Sequence, residues 1–173
     1  MNKFVKVMIV ALITTVAMGV ICTQHIFSPE FSSAEELIKT FEGFRGATYL
    51  CPAGVKTIGY GFTDKDLVAK GTITREEADK VLSRKVKNLQ AKIIVDVNSH
   101  GRMLTKNELA AVTSFVYNVG WHNWRSSTLR EKIICGDKAG AAEEFPRWKY
   151  AGGKKLMGLV RRRAAERRTF KKG

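Results

Sequence analysis

A capped amphipathic helix that breaks on glycine and runs straight into two β-rich stretches constrains this chain more than any other feature. Ser33 is followed three residues later by Glu36, the pattern of a capping box, and Leu37, Ile38, Phe41 and Phe44 then recur at helical spacing. A helix is therefore predicted from about Ala34. Gly43 to Gly46 should stop it. Beyond lie Ala47-Thr48-Tyr49-Leu50-Cys51, the turn formers Pro52-Ala53-Gly54, and Val55-Lys56-Thr57-Ile58-Gly59-Tyr60-Gly61, two strand-like runs joined by a short loop. Helix followed by hairpin places an acid, a thiol and a hydroxyl (Glu42, Cys51 and Thr57) around one small cleft within sixteen residues.

Glu42 lies one turn after Ile38 and beside Phe41, so its carboxylate falls at the margin of the apolar stripe. Partial burial disfavours the charged form of a carboxyl group. A protonated acid can give its proton to a leaving-group oxygen while a second group across the cleft handles the incoming water. That division of labour is the logic of glycoside cleavage. Taken singly, each residue also has an ordinary explanation: a solvated helix-end charge, a small core residue and a β-branched strand former.

Together, Glu42-Gly43-Phe44-Arg45, Tyr49-Leu50-Cys51-Pro52-Ala53-Gly54 and Thr57-Ile58-Gly59-Tyr60-Gly61 resemble the phage-type lysozyme (muramidase, endolysin) family. Eight residues separate Glu42 from Cys51 and five separate Cys51 from Thr57, the family's spacing. The resemblance makes Glu42 the general acid, with Cys51 and Thr57 holding or activating water. It continues through Gly71-Thr72-Ile73-Thr74-Arg75-Glu76-Glu77-Ala78, Phe115-Val116-Tyr117-Asn118-Val119-Gly120, Arg147-Trp148 and Gly158-Leu159-Val160-Arg161-Arg162-Arg163, covering nearly all of residues 33 to 170. Two departures stand out. Phe62 occupies a position where many relatives carry His, a change expected to alter hairpin packing only. Cys51 replaces a commoner Asp, which bears on the chemistry of the second group.

A chain of 173 residues with ordinary globular composition supports one catalytic domain. The net charge of +14 implies an anionic partner. Nine Lys or Arg and one Glu crowd the segment from Lys154 to Lys172, yet Leu156, Leu159, Val160, Ala164 and Phe170 recur there at roughly helical intervals. The segment reads as a surface helix that docks one face on the domain and leaves a basic face to solvent, and no nucleic-acid motif accompanies it, so nucleic acid is not the expected partner. By the resemblance, an Arg on this helix approaches the catalytic Glu. Alignment of Gly158-Leu159-Val160-Arg161 makes Arg161 the candidate.

Lys3 and Lys6 precede an uncharged stretch from Val7 to Pro29 whose apolar heart runs from Val7 to Cys22. It is only marginally long enough for a bilayer core of about 30 Å. The lysines should remain cytoplasmic and send the rest across. Cleavage after Ala17-Met18-Gly19, permanent anchoring and anchoring that later reverses are the alternatives. Thr14, Thr15, Ala17 and Gly19 make the span weakly hydrophobic. The phage endolysins that the chain resembles use such signal-anchor-release segments, and that reading is favoured here. The expected organisation is an anchor over residues 1–23, a linker over 24–32 and a lysozyme-like catalytic domain over 33–173. The domain would face the periplasm from the inner membrane and then be released.

Further capping boxes at Thr74 with Glu77 and at Thr105 with Glu108 each open an apolar-periodic helix. The first should join the hairpin lobe to a helical lobe, with the cleft between them. Ser126-Ser127-Thr128 and Asp137 can cap shorter helices, and the architecture is α+β, mostly helical, with one small sheet. Asn118 and Thr128 fit best as caps, and Trp121, Trp124 and Trp148 as core residues. The scattered His25, His100 and His122 and the lack of a Cys-x-x-Cys pair indicate no metal site, and no cofactor is implied.

The resemblance implies an enzyme, acting as a monomer, that hydrolyses the β-1,4 bond between N-acetylmuramic acid and N-acetylglucosamine in peptidoglycan and so lyses a host cell. Its rivals are a lytic transglycosylase, in which the sugar's own 6-hydroxyl replaces water, and a membrane-tethered basic binding protein without catalysis. Cys22, Cys51 and Cys135 allow any one of three disulfides. Cys135, following Ile133 and Ile134, is expected in the core. Cys22 is a candidate regulatory thiol that would cage Cys51 directly or, once released, free it from another partner. Otherwise Cys22 is a small apolar residue.

Overall fold

The computed structural model describes residues 31–173 except 52 and 53. The first helix, α1 (Ala34–Glu42), starts where the Ser33 hydroxyl accepts from the Glu36 backbone N–H. The Glu36 carboxylate reaches back one residue further than a capping box requires, accepting from the N–H and hydroxyl of Ser32. Gly43, at φ +68°, ends the helix in a conformation that side-chain-bearing residues rarely adopt. Leu37 and Ile38 face inward and are fully buried.

The hairpin follows as expected. Strands β1 (Arg45–Leu50) and β2 (Lys56–Gly59) run antiparallel, with Tyr49 opposite Thr57, Leu50 opposite Lys56, and an irregularity between Arg45 and Tyr49. A short helix, α2 (Lys65–Ala69), leads to α3 (Arg75–Asn98), whose capping box of Thr74 and Glu77 is fully formed. At 24 residues α3 is about 36 Å long.

That length explains the two-lobed shape. The amino-terminal half of α3 gives Ala78, Leu82 and Val86 to a core with Ile38, Ile58, Tyr60 and Phe62. Its carboxyl-terminal half gives Ile93 and Val97 to a second core with Val112, Phe115, Trp124, Phe145 and Phe170. Phe62 is buried against Gly59, where a Cβ would stand 2.6 Å from its ring. The expected packing role of that position therefore holds.

The second lobe contains α4 (Lys106–Val119), α5 (Trp121–Arg125), α6 (Thr128–Ile134), α7 (Lys138–Glu144) and α8 (Met157–Lys171). Thr105 and Glu108 form the box before α4, Ser127 caps α6 and Asp137 caps α7. Thr128 is thus the first helical residue of α6 and not its cap. A second two-stranded sheet, β3 (Tyr150–Ala151) with β4 (Lys154–Lys155), adds to the one expected. The protein is mostly helical with small antiparallel sheets.

Two expectations are corrected. Cys135 is exposed, because α6 ends at Ile134 and leaves Cys135 as its carboxyl-terminal cap. Helix α8 docks one face on the domain as expected, with Phe170 buried, but its basic run is not all solvated: Arg162, Arg163 and Glu166 are buried beside Ala165 and Thr169, while Leu156 and Met157 are exposed. Among the described residues no helix is long and apolar enough to cross a membrane. The expected anchor over 1–23, its Cys22, and residues 24–30 of the linker lie outside the described residues.

Candidate active site

Glu42 is the last residue of α1, and its side chain is 23% exposed. Arg162 of α8 donates from Nη1 to Glu42 Oε1 at 2.6 Å. The turn after the hairpin closes on the other oxygen: a Cβ on Gly61 would lie 3.3 Å from Oε2, and Gly61 adopts φ +83°. Only glycine offers both that backbone geometry and that clearance. Tyr117 of α4 secures the same turn by donating its phenolic O–H to the Tyr60 carbonyl at 2.8 Å. Burial, with the Glu42 carboxylate second, holds the Tyr117 phenol well above its usual range, so it remains a donor.

The arginine that reaches Glu42 is Arg162, not Arg161. Arg161 is exposed on the rim of a cavity of about 970 Å³ that Glu42 and Arg162 also line with Phe41, Asn118 and Leu159. Described lining residues come from α1, the end of α4 and α8 with the residues just before them, so this cavity covers one flank of Glu42. The hairpin bearing Cys51 and Thr57 reaches Glu42 through Gly61.

Cys51 stands half-buried at the end of β1, and Thr57 is buried on β2. One carbonyl ties them together. Val55 O accepts from the Cys51 N–H at 3.0 Å and from the Thr57 hydroxyl at 3.0 Å. The Thr57 proton is thus committed to the backbone, which leaves its oxygen as an acceptor.

Behind Arg162 lies a network missed by sequence reasoning. Arg162 donates from Nε to Glu166 Oε1 at 3.1 Å and from Nη2 to the Ser114 carbonyl at 3.0 Å and hydroxyl at 3.3 Å. Arg163 donates from Nη2 to Asn118 Oδ1 at 2.9 Å, so Asn118 serves as a side-chain acceptor and not as a cap. Burial pushes the Arg163 guanidinium down to about 10. Burial also pushes the Glu166 carboxyl up, against the pull of the two guanidiniums and the Ser114 hydroxyl. All three donors reach Oε1, while Oε2 lies 3.0 Å from Arg163 Nε, so the two guanidiniums supply the charge that opposes its burial. The spacing of Arg162 and Arg163 four and three residues before the lone acid Glu166 was the available sequence signal.

The tryptophans belong to the fold. Trp124 is fully buried and donates from Nε1 to Asp96, while Trp121 and Trp148 pack against the second core. Among the described residues no cluster of three or more His, Cys, Asp or Glu is arranged to hold a metal ion.

A helix-borne acid facing a hairpin across the junction of two lobes is the arrangement of a lysozyme-like protein. The phage lysozyme family model matches residues 39–166, and the chain belongs to that family. It is 40% identical over 140 residues to an endolysin of Bacillus phage PZA, a match covering 79% of this chain but 53% of that protein, so the chain spans about half the length of that relative. It is also 40% identical over 130 residues to a SAR-endolysin of Bacteriophage PS119, covering 73% of this chain and 74% of the relative. Among solved structures, the muramidase domain of SpmX from Asticaccaulis excentricus superposes with a TM-score of 0.67 at 30% identity, covering 82% of this chain and 98% of that one.

Proposed function

We propose that this chain is an endolysin, a muramidase that hydrolyses the β-1,4 bond between N-acetylmuramic acid and N-acetylglucosamine in peptidoglycan and thereby lyses a host cell. The observation that carries the reading is Glu42 itself, half-enclosed at the lobe junction, with Arg162 bonded to one oxygen and the Gly61 turn packed close to the other. Glu42 donates its proton to the departing sugar oxygen. The Cys51 backbone and the Thr57 hydroxyl meet at the Val55 carbonyl, and their side chains hold or activate water. Arg162, in place of Arg161, positions the acid.

The relative named a SAR-endolysin supports the matching reading of residues 1–23 as a releasable signal anchor, with residues 24–32 as linker and 33–173 as the catalytic domain. On this reading the enzyme acts as a monomer, first tethered at the inner membrane and facing the periplasm, then released there. Cys22 is the thiol through which anchor and active site would communicate. The basic surface suits an anionic cell-wall polymer rather than nucleic acid.

Mass spectrometry of digested peptidoglycan tests the reaction. Reducing muramic ends are expected. Products with 1,6-anhydro ends would establish a transglycosylase, and no cleavage at all would leave a binding protein.

A further inference from the structure

The buried acid of α8 has no place in the reaction described so far. Glu166 is completely enclosed. Its Oε1 accepts from the Ser114 hydroxyl at 2.7 Å, from Arg162 Nε at 3.1 Å and from Arg163 Nη2 at 3.3 Å, and its Oε2 lies 3.0 Å from Arg163 Nε. Removing a carboxylate this far from water is unfavourable unless its partners compensate, so its presence calls for a physical reason.

The reason lies in how Arg162 is divided. One guanidinium serves two carboxylates, with Nε on Glu166 and Nη1 on Glu42, while Nη2 is anchored on Ser114. A guanidinium facing Glu42 alone would favour its ionised form and oppose the protonated form that an acid catalyst needs. With Glu166 present, the two arginines and two carboxylates cancel when Glu42 is ionised, and only one positive charge remains when it is protonated.

We propose that Glu166 is a positioning residue for Glu42, acting through Arg162: it fixes the direction of the guanidinium and takes up enough of its charge for Glu42 to carry the proton it donates. This rests on the reading of Glu42 as the general acid. Of the other charges around the site, Arg161 and Arg168 line the cavity beside Glu42 as exposed cations. From α4, Tyr117 presents a neutral phenol and Asn118 accepts from Arg163. From α7 and the turn after it, Glu143 pairs with Arg167 and Glu144 with Arg147. On the hairpin lobe, Asp64 pairs with Lys85.

The test is the rate of peptidoglycan clearing against pH for wild type, Glu166→Gln, Glu166→Asp and Arg163→Gln, with thermal melting of each. Loss of the Glu166 charge leaves the Arg162 and Arg163 guanidiniums uncompensated on the Glu42 side of the network. The alkaline limb of Glu166→Gln is therefore expected about half a pH unit or more below that of wild type, with activity regained on acidification. Glu166→Asp keeps the charge, and its limb should return toward wild type. Arg163→Gln removes a positive charge and should move the limb the opposite way, a displacement that general loosening of the fold does not produce. A wild type that clears no peptidoglycan overturns the enzymatic reading itself. An active wild type whose limb is unmoved in Glu166→Gln and Arg163→Gln overturns the role of Glu166 alone. If Glu166→Gln does not melt cooperatively, Arg163→Gln decides by the same criterion.

Discussion

Arg162 and Glu42 lie 120 residues apart in the chain and 2.6 Å apart in space, joining the last turn of α1 to the middle of α8. Arg162 is buried and uses all three of its nitrogens, so the contact is a fixed geometric element and not a surface ion pair. A planar fork with three separate targets cannot be reproduced by an ammonium group.

Arg162→Lys is therefore expected to lower peptidoglycan clearing by about tenfold or more while the protein still melts cooperatively, because misplacement of a catalytic group by as little as an ångström is costly. Turbidity assays beside circular dichroism check this. Full activity in Arg162→Lys would show that the position of Glu42 does not depend on the fork.

The shared Val55 carbonyl makes a prediction for the hairpin. Thr57→Ser retains the hydroxyl and should stay close to wild-type activity, whereas Thr57→Val leaves the carbonyl short of one donor and removes the acceptor. At Cys51, Asp should support activity and Ala should not. Clearing rates of the four variants decide it, and equal rates for Thr57→Val and Thr57→Ser would reduce Thr57 to a strand former.

Much of this arrangement was legible locally. Ser33, Thr74, Thr105, Ser127 and Asp137 were all readable as helix starts, since a cap is a bond between a side chain and backbone two or three residues away. Glycine and proline turn chemistry likewise made the hairpin readable. The buried charges of α8 were not, because hydropathy assigns arginine to solvent and cannot register that Arg162 and Arg163 pair with Glu166 inside. Choosing Arg161 over Arg162 is an error of about 100° around a helix, enough to turn a buried contact into an exposed rim. Cys135 was misplaced because α6 ends one residue earlier than its apolar run. The two-residue strands flanking Gly152-Gly153 are too short for any periodicity.

Away from the site, Asp96 is expected to govern acid stability. It accepts from Trp124 Nε1, Arg125 Nη1 and both Nε and Nη2 of Arg130, and the hydrogen bonds from Arg130 hold its carboxyl below the ordinary range. A carboxyl depressed in the folded state contributes stability in full above its unfolded value of about 3.9, and that contribution is lost as pH falls through the lower folded value. Asp96→Asn should cost about 3 kcal/mol near neutral pH and flatten the fall in stability below about pH 4. Urea unfolding from pH 2 to 7 measures both effects, and an unchanged profile would remove Asp96 from the account.

The most direct measurement compares wild type with Glu42→Gln in clearing purified peptidoglycan. The amide is nearly isosteric and keeps an oxygen for Arg162, but it has no acidic proton to donate. The variant should melt like wild type and lose at least about a hundredfold in rate. A cooperatively folded Glu42→Gln that clears peptidoglycan within a few-fold of wild type would contradict the assignment of Glu42 as the acid on which the mechanism depends.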